Sequence, residues 1–317
     1  MRKILTVVVA ILLCATAVKA QQEAHYTQFM YNNMLNNPGF AGARRIPSVS
    51  VLYRNQWIGF EGNPQSYLLS FDAPIGNKRL GTGLVLANQS EGVTRRQFGN
   101  AVLSYALLST KEMTFRIGIN ASIRQYRFNL QDPNVYVRER QDASLSQDNP
   151  TITNANVGVG VYFDTESFYC GLSLPNLNKN PIILGANINS QVIGREQRHL
   201  YFMAGGLVPI GSEDLQLKPS LMYKYTSDAP FSIDFNLSVM VQKRFTGGIS
   251  YRVGESSKSG ESIDLLTFVQ ASDNLGIGIA YDYSLTQIKA YSKGSIEAVL
   301  RYDFGRKNGL KNPRFFF

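Results

Sequence analysis

His25 and His199 are the only histidines, and Cys14 and Cys170 the only cysteines, so these four residues bound the catalytic and metal chemistry open to the chain. A metal site needs three or four converging ligands, and neither histidine sits in an Asp/Glu/His cluster. His199 opens a strand and could act as a base for a serine on a neighbouring strand at a lipid interface, as in a membrane phospholipase. The plainer reading is a histidine at a rim. Gly171-Leu172-Ser173-Leu174-Pro175 lacks the closing glycine of a nucleophile elbow, and its proline suits a strand end. No phosphate-binding loop, dinucleotide fingerprint or EF-hand spacing occurs. The sequence therefore reads as a non-enzyme with no metal and no cofactor.

Charged side chains at every second position are the remaining chemistry. Arg54, Arg116, Arg124, Asp234, Arg252, Asp282, Glu297 and Arg301 share one phase, joined by Lys218, Lys224, Arg244 and Asp303. Successive side chains in a strand point to opposite faces, so all of these fall on a polar face. Two readings stand. The charges pair across a barrel interior and stiffen it, or they line a solute path whose selectivity they tune.

The elements that must carry them are strands. Phe231, Ile233, Phe235, Leu237, Val239 and Val241 alternate with Ser232, Asp234, Asn236 and Ser238, and Phe115, Ile117, Ile119, Ala121 and Ile123 alternate with Arg116, Gly118, Asn120, Ser122 and Arg124. Such segments match the span of a tilted transmembrane strand, about 9–11 residues. A soluble sandwich also alternates, but outer-membrane barrels add a strict order of short and long connections. Strands at 48–59, 65–72, 80–88, 97–108, 113–128, 155–164, 168–174, 198–208, 215–225, 231–242, 244–253, 262–271, 274–284 and 294–304 give that order. The connections 109–112, 165–167, 209–214 and 272–273 are short, and 129–154, 175–197, 254–261 and 285–293 are long. Two connections break the rule: 73–79 is rather long and 226–230 rather short. The fold expected is an all-β, antiparallel, up-and-down transmembrane barrel of about fourteen strands, with both chain ends in the periplasm. Trp57, Tyr223, Tyr251 and Tyr302 are expected in the interfacial girdles.

Composition agrees. Charged residues are 17% of the chain, with 17 Tyr, 18 Phe and 27 Gly, a mixture that suits a sheet with one lipid-facing side. The net charge of +9 is spread rather than clustered, and three of its contributors (Arg2, Lys3, Lys19) lie in the leader, which argues against a nucleic-acid partner. Arg2-Lys3, the apolar run 4–17 and Val18-Lys19-Ala20 read as a secretory signal peptide over 1–20. After it no apolar stretch approaches the roughly 20 residues of a spanning helix. The expected division is signal peptide 1–20, an N-terminal periplasmic or plug segment 21–47, an outer-membrane barrel 48–304 and a periplasmic tail 305–317.

The segment after the leader breaks the alternation. It reads His25-Tyr26-Thr27-Gln28-Phe29-Met30-Tyr31-Asn32-Asn33-Met34-Leu35-Asn36-Asn37-Pro38-Gly39-Phe40-Ala41-Gly42. Polar side chains able to satisfy lumen walls and a compact apolar set make it a candidate short plug or partner-binding surface. His25, Tyr26, Gln28, Phe29, Asn32, Asn36, Pro38 and Phe40 are its expected contact residues.

This stretch, with Arg54-Asn55-Gln56-Trp57, Ser70-Phe71-Asp72-Ala73-Pro74, the Ser-x-Pro-Asn-Leu piece at 173–177 and the closing Pro313-Arg314-Phe315, resembles the PorP/SprF family of the Bacteroidetes type IX secretion system. The likeness spans the mature length. One departure is Gly39, where that family more often has a small non-glycine residue. The resemblance implies an outer-membrane secretion component that assists export or surface retention of C-terminal-domain cargo proteins, such as gliding adhesins. It also implies partners among periplasmic lipoproteins or a peptidoglycan-binding protein, besides the outer-membrane lipid. The alternative from a different class is a passive or fatty-acid-type uptake channel, which requires an open lumen.

Overall fold

A computed structural model describes residues 23–76, 79–130, 150–184, 191–227, 229–254 and 260–305. The expected leader, most of the C-terminal tail with its Pro-Arg-Phe motif, and the centre of the 129–154 connection lie outside the described residues.

Among the described residues seventeen strands follow one another: β1 Ser48–Asn55, β2 Gln65–Ile75, β3 Leu80–Glu91, β4 Thr94–Ser109, β5 Met113–Phe128, β6 Thr151–Thr165, β7 Phe168–Leu174, β8 Pro181–Leu184 and β9 Gln191–Arg195. Then come β10 Leu200–Gly206, β11 Val208–Ile210, β12 Ser212–Thr226, β13 Ala229–Val241, β14 Phe245–Gly254, β15 Ser262–Gln270, β16 Leu275–Ser284 and β17 Ser295–Asp303. Fourteen of them form one antiparallel ring among the described residues. Neighbours in sequence pair with each other, β10 bridges β7 and β12, and β1 closes on β17 from Ser48↔Asp303 to Asn55↔Ile296. Closure leaves no free sheet edge in lipid, where unpaired backbone groups cannot be tolerated. β11 continues β10 in the same register against β12, with a bulge between Pro209 and Ile210, and β8–β9 form a separate hairpin.

The alternation reads the membrane directly. Ile123 is 62% exposed and Leu265 60%, whereas Asn236 is 5% and Ser238 3%. A soluble sandwich would show the reverse. Apolar outside and polar inside is the arrangement of a barrel whose solvent is hydrocarbon.

One end carries connections of two to four residues: 76–79, 110–112, 166–167, 242–244 and 271–274. The long 73–79 connection expected from sequence shrinks because β2 runs on through Pro74 to Ile75 before Gly76 turns the chain at φ +57°. The opposite end holds the long connections together with two that are only two residues long, 92–93 and 227–228. The 175–197 connection, which has no long alternating run to mark a spanning strand, carries the short hairpin β8–β9, with Ile182 packed on Tyr126 and Phe128. Two side-chain placements differ from expectation. Arg244 is exposed in the 242–244 turn rather than on the inner face, and Trp57, at φ +55° just past β1, lines the lumen mouth instead of the lipid girdle.

Candidate functional site: a chain segment seated in the lumen

Short of spanning strands, the residues before β1 have no alternation to satisfy, and they form three single 3-10 turns, Phe29–Tyr31, Asn33–Leu35 and Pro38–Phe40. The third is started by Asn37, whose side-chain oxygen accepts from Gly39 N at 2.8 Å, with Pro38 in the first helical position. Tyr26, Phe29, Met30, Tyr31, Met34 and Phe40 make a hydrophobic core with inward residues from both halves of the ring, including Leu52, Val85, Met203, Met222 and Phe268. The segment lies inside the barrel and runs from the long-loop half down to the short-turn end.

Charge fixes its upper part. Glu23 meets Arg124 Nη1 at 2.6 Å and Arg96 Nη2 at 3.0 Å. Burial alone would raise the Glu23 carboxyl, but the two guanidinium groups outweigh it and hold it well below the usual carboxylate range. Thr27 N and Gln28 N donate to the two oxygens of Glu297 at 2.9 and 2.8 Å, and Thr27 Oγ1 donates to Asp282 at 2.7 Å. Arg54 bridges both acids, reaching Glu297 at 3.1 Å. Beside them Lys224 Nζ lies 2.9 Å from Asp234, which Arg252 also grips, and donates to His25 Nδ1 at 3.1 Å. Burial first, then the charges of Lys224 and Arg252, lower the His25 pKa and keep the ring neutral.

Shape fixes the middle. Tyr31 stacks on Phe268 at 4.2 Å between ring centroids, and Phe40 meets Tyr162 edge-on at 5.3 Å. Asn37 Nδ2 donates to Val161 O at 2.9 Å, and Ser173 Oγ donates to Asn36 O at 2.6 Å. The wall opposite is cut away by inward glycines. A Cβ on Gly118 would stand 2.3 Å from the Pro38 carbonyl, one on Gly81 2.1 Å from Ala41 O, one on Gly160 2.2 Å from Asn37 Oδ1 and one on Gly278 2.3 Å from Gln28 Oε1. At the short-turn end Gly42 N donates to Asp72, and Arg45 Nη2 donates to Thr114 Oγ1 at 2.9 Å.

Above the segment a cavity of about 790 Å³ opens at the long-loop end, with Glu23 and His25 in its floor and Trp57, Tyr126 and Phe128 in its wall. Beside it Asn180 and Glu196, from the connection after β7, turn inward. Glu196 accepts from Tyr126 Oη at 2.9 Å, Asn156 Nδ2 at 3.0 Å and Asn180 Nδ2 at 2.8 Å.

Of the residues singled out in sequence, Arg54, Asp282 and Glu297 converge on Thr27 and Gln28, Asp234 and Arg252 on His25, and Arg124 on Glu23. Arg301 lies over the Phe268 ring at 5.2 Å, and Arg116 donates to Arg79 O at 3.1 Å, both clear of the upper cluster. Tyr26, Gln28, Phe29, Asn32, Pro38 and Phe40 are buried, and His25 and Asn36 are half-buried. His199 packs on Tyr201, and Ser173 serves Asn36, so the two do not meet as base and nucleophile. Sequence reading missed Glu23, Asn37 and the inward glycines. The glycines' one signal was their phase: Gly118 stands between Arg116 and Asn120 on the polar face.

A closed ring with lipid-facing apolar strands and a polar, filled interior defines an outer-membrane β-barrel. Residues 18–302 match the type IX secretion system membrane protein PorP/SprF model, and the chain belongs to that family. It is thus an outer-membrane component of type IX secretion. No curated protein sequence matches it. Among solved structures it is similar to the CymD monoaromatic hydrocarbon channel, with a TM-score of 0.52 and 11% identity over 86% of this chain and 92% of that one. It is also similar to the Ralstonia pickettii toluene transporter TbuX, with a TM-score of 0.50 and 10% identity over 86% and 93%. At such identities the likeness is one of fold.

Proposed function

We propose that the protein acts in type IX secretion as a plugged, non-enzymatic barrel that assists export or surface retention of cargo through the cargo's C-terminal domain. Its periplasmic partners would be lipoproteins or a peptidoglycan-binding protein. The short-turn end and the start of β1 face the periplasm in this reading, and the long-loop end faces outward, following the usual order of connections in such barrels. The observation that carries it is the fit of Pro38, Gly39 and Ala41 into wall positions that only glycine leaves open. A tail that visited the lumen occasionally would not require that carving. The uptake-channel alternative needs a continuous path, and a lumen occupied from Glu23 to Arg45 weighs against it.

Deleting residues 21–42 and measuring conductance in planar bilayers together with cargo at the cell surface tests the proposal. The ring should still assemble, with raised conductance and lost surface display. An assembled ring with wild-type conductance and normal display would refute it.

A further inference from the structure

β4 and β5 are 16 residues each, well beyond the roughly 9–11 that cross hydrocarbon, so their long-loop ends stand out of the apolar layer. Their outward faces record the exit. Leu103↔Ile119, Ala101↔Ala121 and Gly99↔Ile123 give way to Gln97↔Gln125 and then to Arg95↔Arg127. The last pair lies four residues past Gly99, roughly 10 Å along the membrane normal for a tilted strand. That is headgroup depth.

Two arginines directly opposite on adjacent strands repel each other. Both are exposed, and among the described residues neither forms an ion pair. Their own row continues with Ser90 on β3 and Thr151 on β6, which add hydroxyls and no carboxylate. A pair of planar forks held side by side by a rigid sheet is matched to a phosphate, which each guanidinium can grip through two parallel hydrogen bonds.

We propose that the outward face of β3–β6 carries a binding site for the phosphate of an outer-leaflet glycolipid, gripped by Arg95 and Arg127, with Gln97, Gln125, Ser90 and Thr151 toward its sugar hydroxyls. The lipid is the source because the site sits on the lipid-facing wall, directly above the apolar band. This rests on the orientation proposed above, with the long-loop end outward.

The test uses the full chain purified in detergent, incubated with lipid A and examined by native mass spectrometry. Wild type should retain lipid A about tenfold more than R95Q/R127Q. Lipid A stripped of phosphate should fall to the double variant's level, and excess inorganic phosphate should not displace the intact lipid. Equal retention by wild type and R95Q/R127Q, or of both lipids, would overturn the site, and displacement by inorganic phosphate would overturn the lipid as its ligand. Heat-modifiable migration checks that the variant is folded, and if it is not, R127Q alone should lower retention. Orientation is read separately by labelling Cys170→Ser/Tyr291→Cys, in the exposed loop between β16 and β17 at the long-loop end, on intact cells with a membrane-impermeant maleimide. Absence of label overturns the orientation, whereas labelling with unchanged lipid retention by R95Q/R127Q overturns the site alone.

Discussion

Gly118→Val isolates the seated segment from the ring that holds it. Valine is a good strand residue, and the Gly118 backbone is ordinary strand, paired with Gly160 and Ser104, so β5 itself loses nothing. Its first added atom would stand 2.3 Å from Pro38 C and O and 2.4 Å from Gly39 N, all backbone and none able to rotate away. Ordinary contact needs roughly 1 Å more. A lift of that size breaks the 2.9 Å bond from Asn37 to Val161 O and the edge contact of Phe40 with Tyr162. Overpacking of this kind costs about 1–3 kcal/mol, up to roughly two orders of magnitude in the ratio of seated to unseated segment. Planar-bilayer recording should show wild type nearly closed and G118V with frequent openings, while heat-modifiable migration stays normal. The control is Gly247→Ala, where no atom lies within 4 Å of the new Cβ. An assembled G118V barrel as closed as wild type would refute the argument that shape holds the segment.

Further outcomes follow from the same geometry. Leu237→Arg, on the lipid face, should impair assembly by about 2–4 kcal/mol in a membrane-folding titration, whereas Ser238→Arg should do so far less; equal effects would mean the faces are reversed. Glu23 is depressed below its unfolded value, so its stabilisation of the seat is complete at neutral pH. It is lost as pH falls below the ordinary carboxylate value of about 4.3. Glu23→Gln should therefore open the barrel at pH 7 and narrow the difference from wild type on acidification; a constant difference would remove Glu23 from the clasp. An epitope inserted in the loop carrying Gln287–Ala290 should be reached by antibody on intact cells and one in 110–112 should not, and reversed labelling would invert the topology.

The ring was legible because lipid imposes a local rule: every second residue of Phe231 to Val241 must be apolar whatever the rest of the chain does. The closing pair β1–β17 was implied only by the even count. The interior charges Arg54, Asp282 and Glu297 were placed on the right face by parity, but their convergence on Thr27 and Gln28 was hidden. It joins residues some 270 positions apart, and nothing local encodes such a meeting. No local pattern around Glu23 marks it as the partner of Arg96 and Arg124. Strand ends were misjudged where polar side chains continue a strand beyond the membrane, as at Thr94 to Arg96, because the apolar signal stops while backbone pairing goes on.

The seated segment also changes what kind of mechanical object the barrel is. A hollow sheet cylinder flattens easily into an ellipse, since bending a sheet between strands strains few contacts. Here any radial squeeze drives Gly118 against Pro38, Gly81 against Ala41 and Gly278 against Gln28 from three directions, and close-packed atoms resist compression. Lateral load applied at that level of the barrel is then carried through the middle to the opposite strands, so below the cavity the cross-section resists flattening as a filled rod does rather than as a tube.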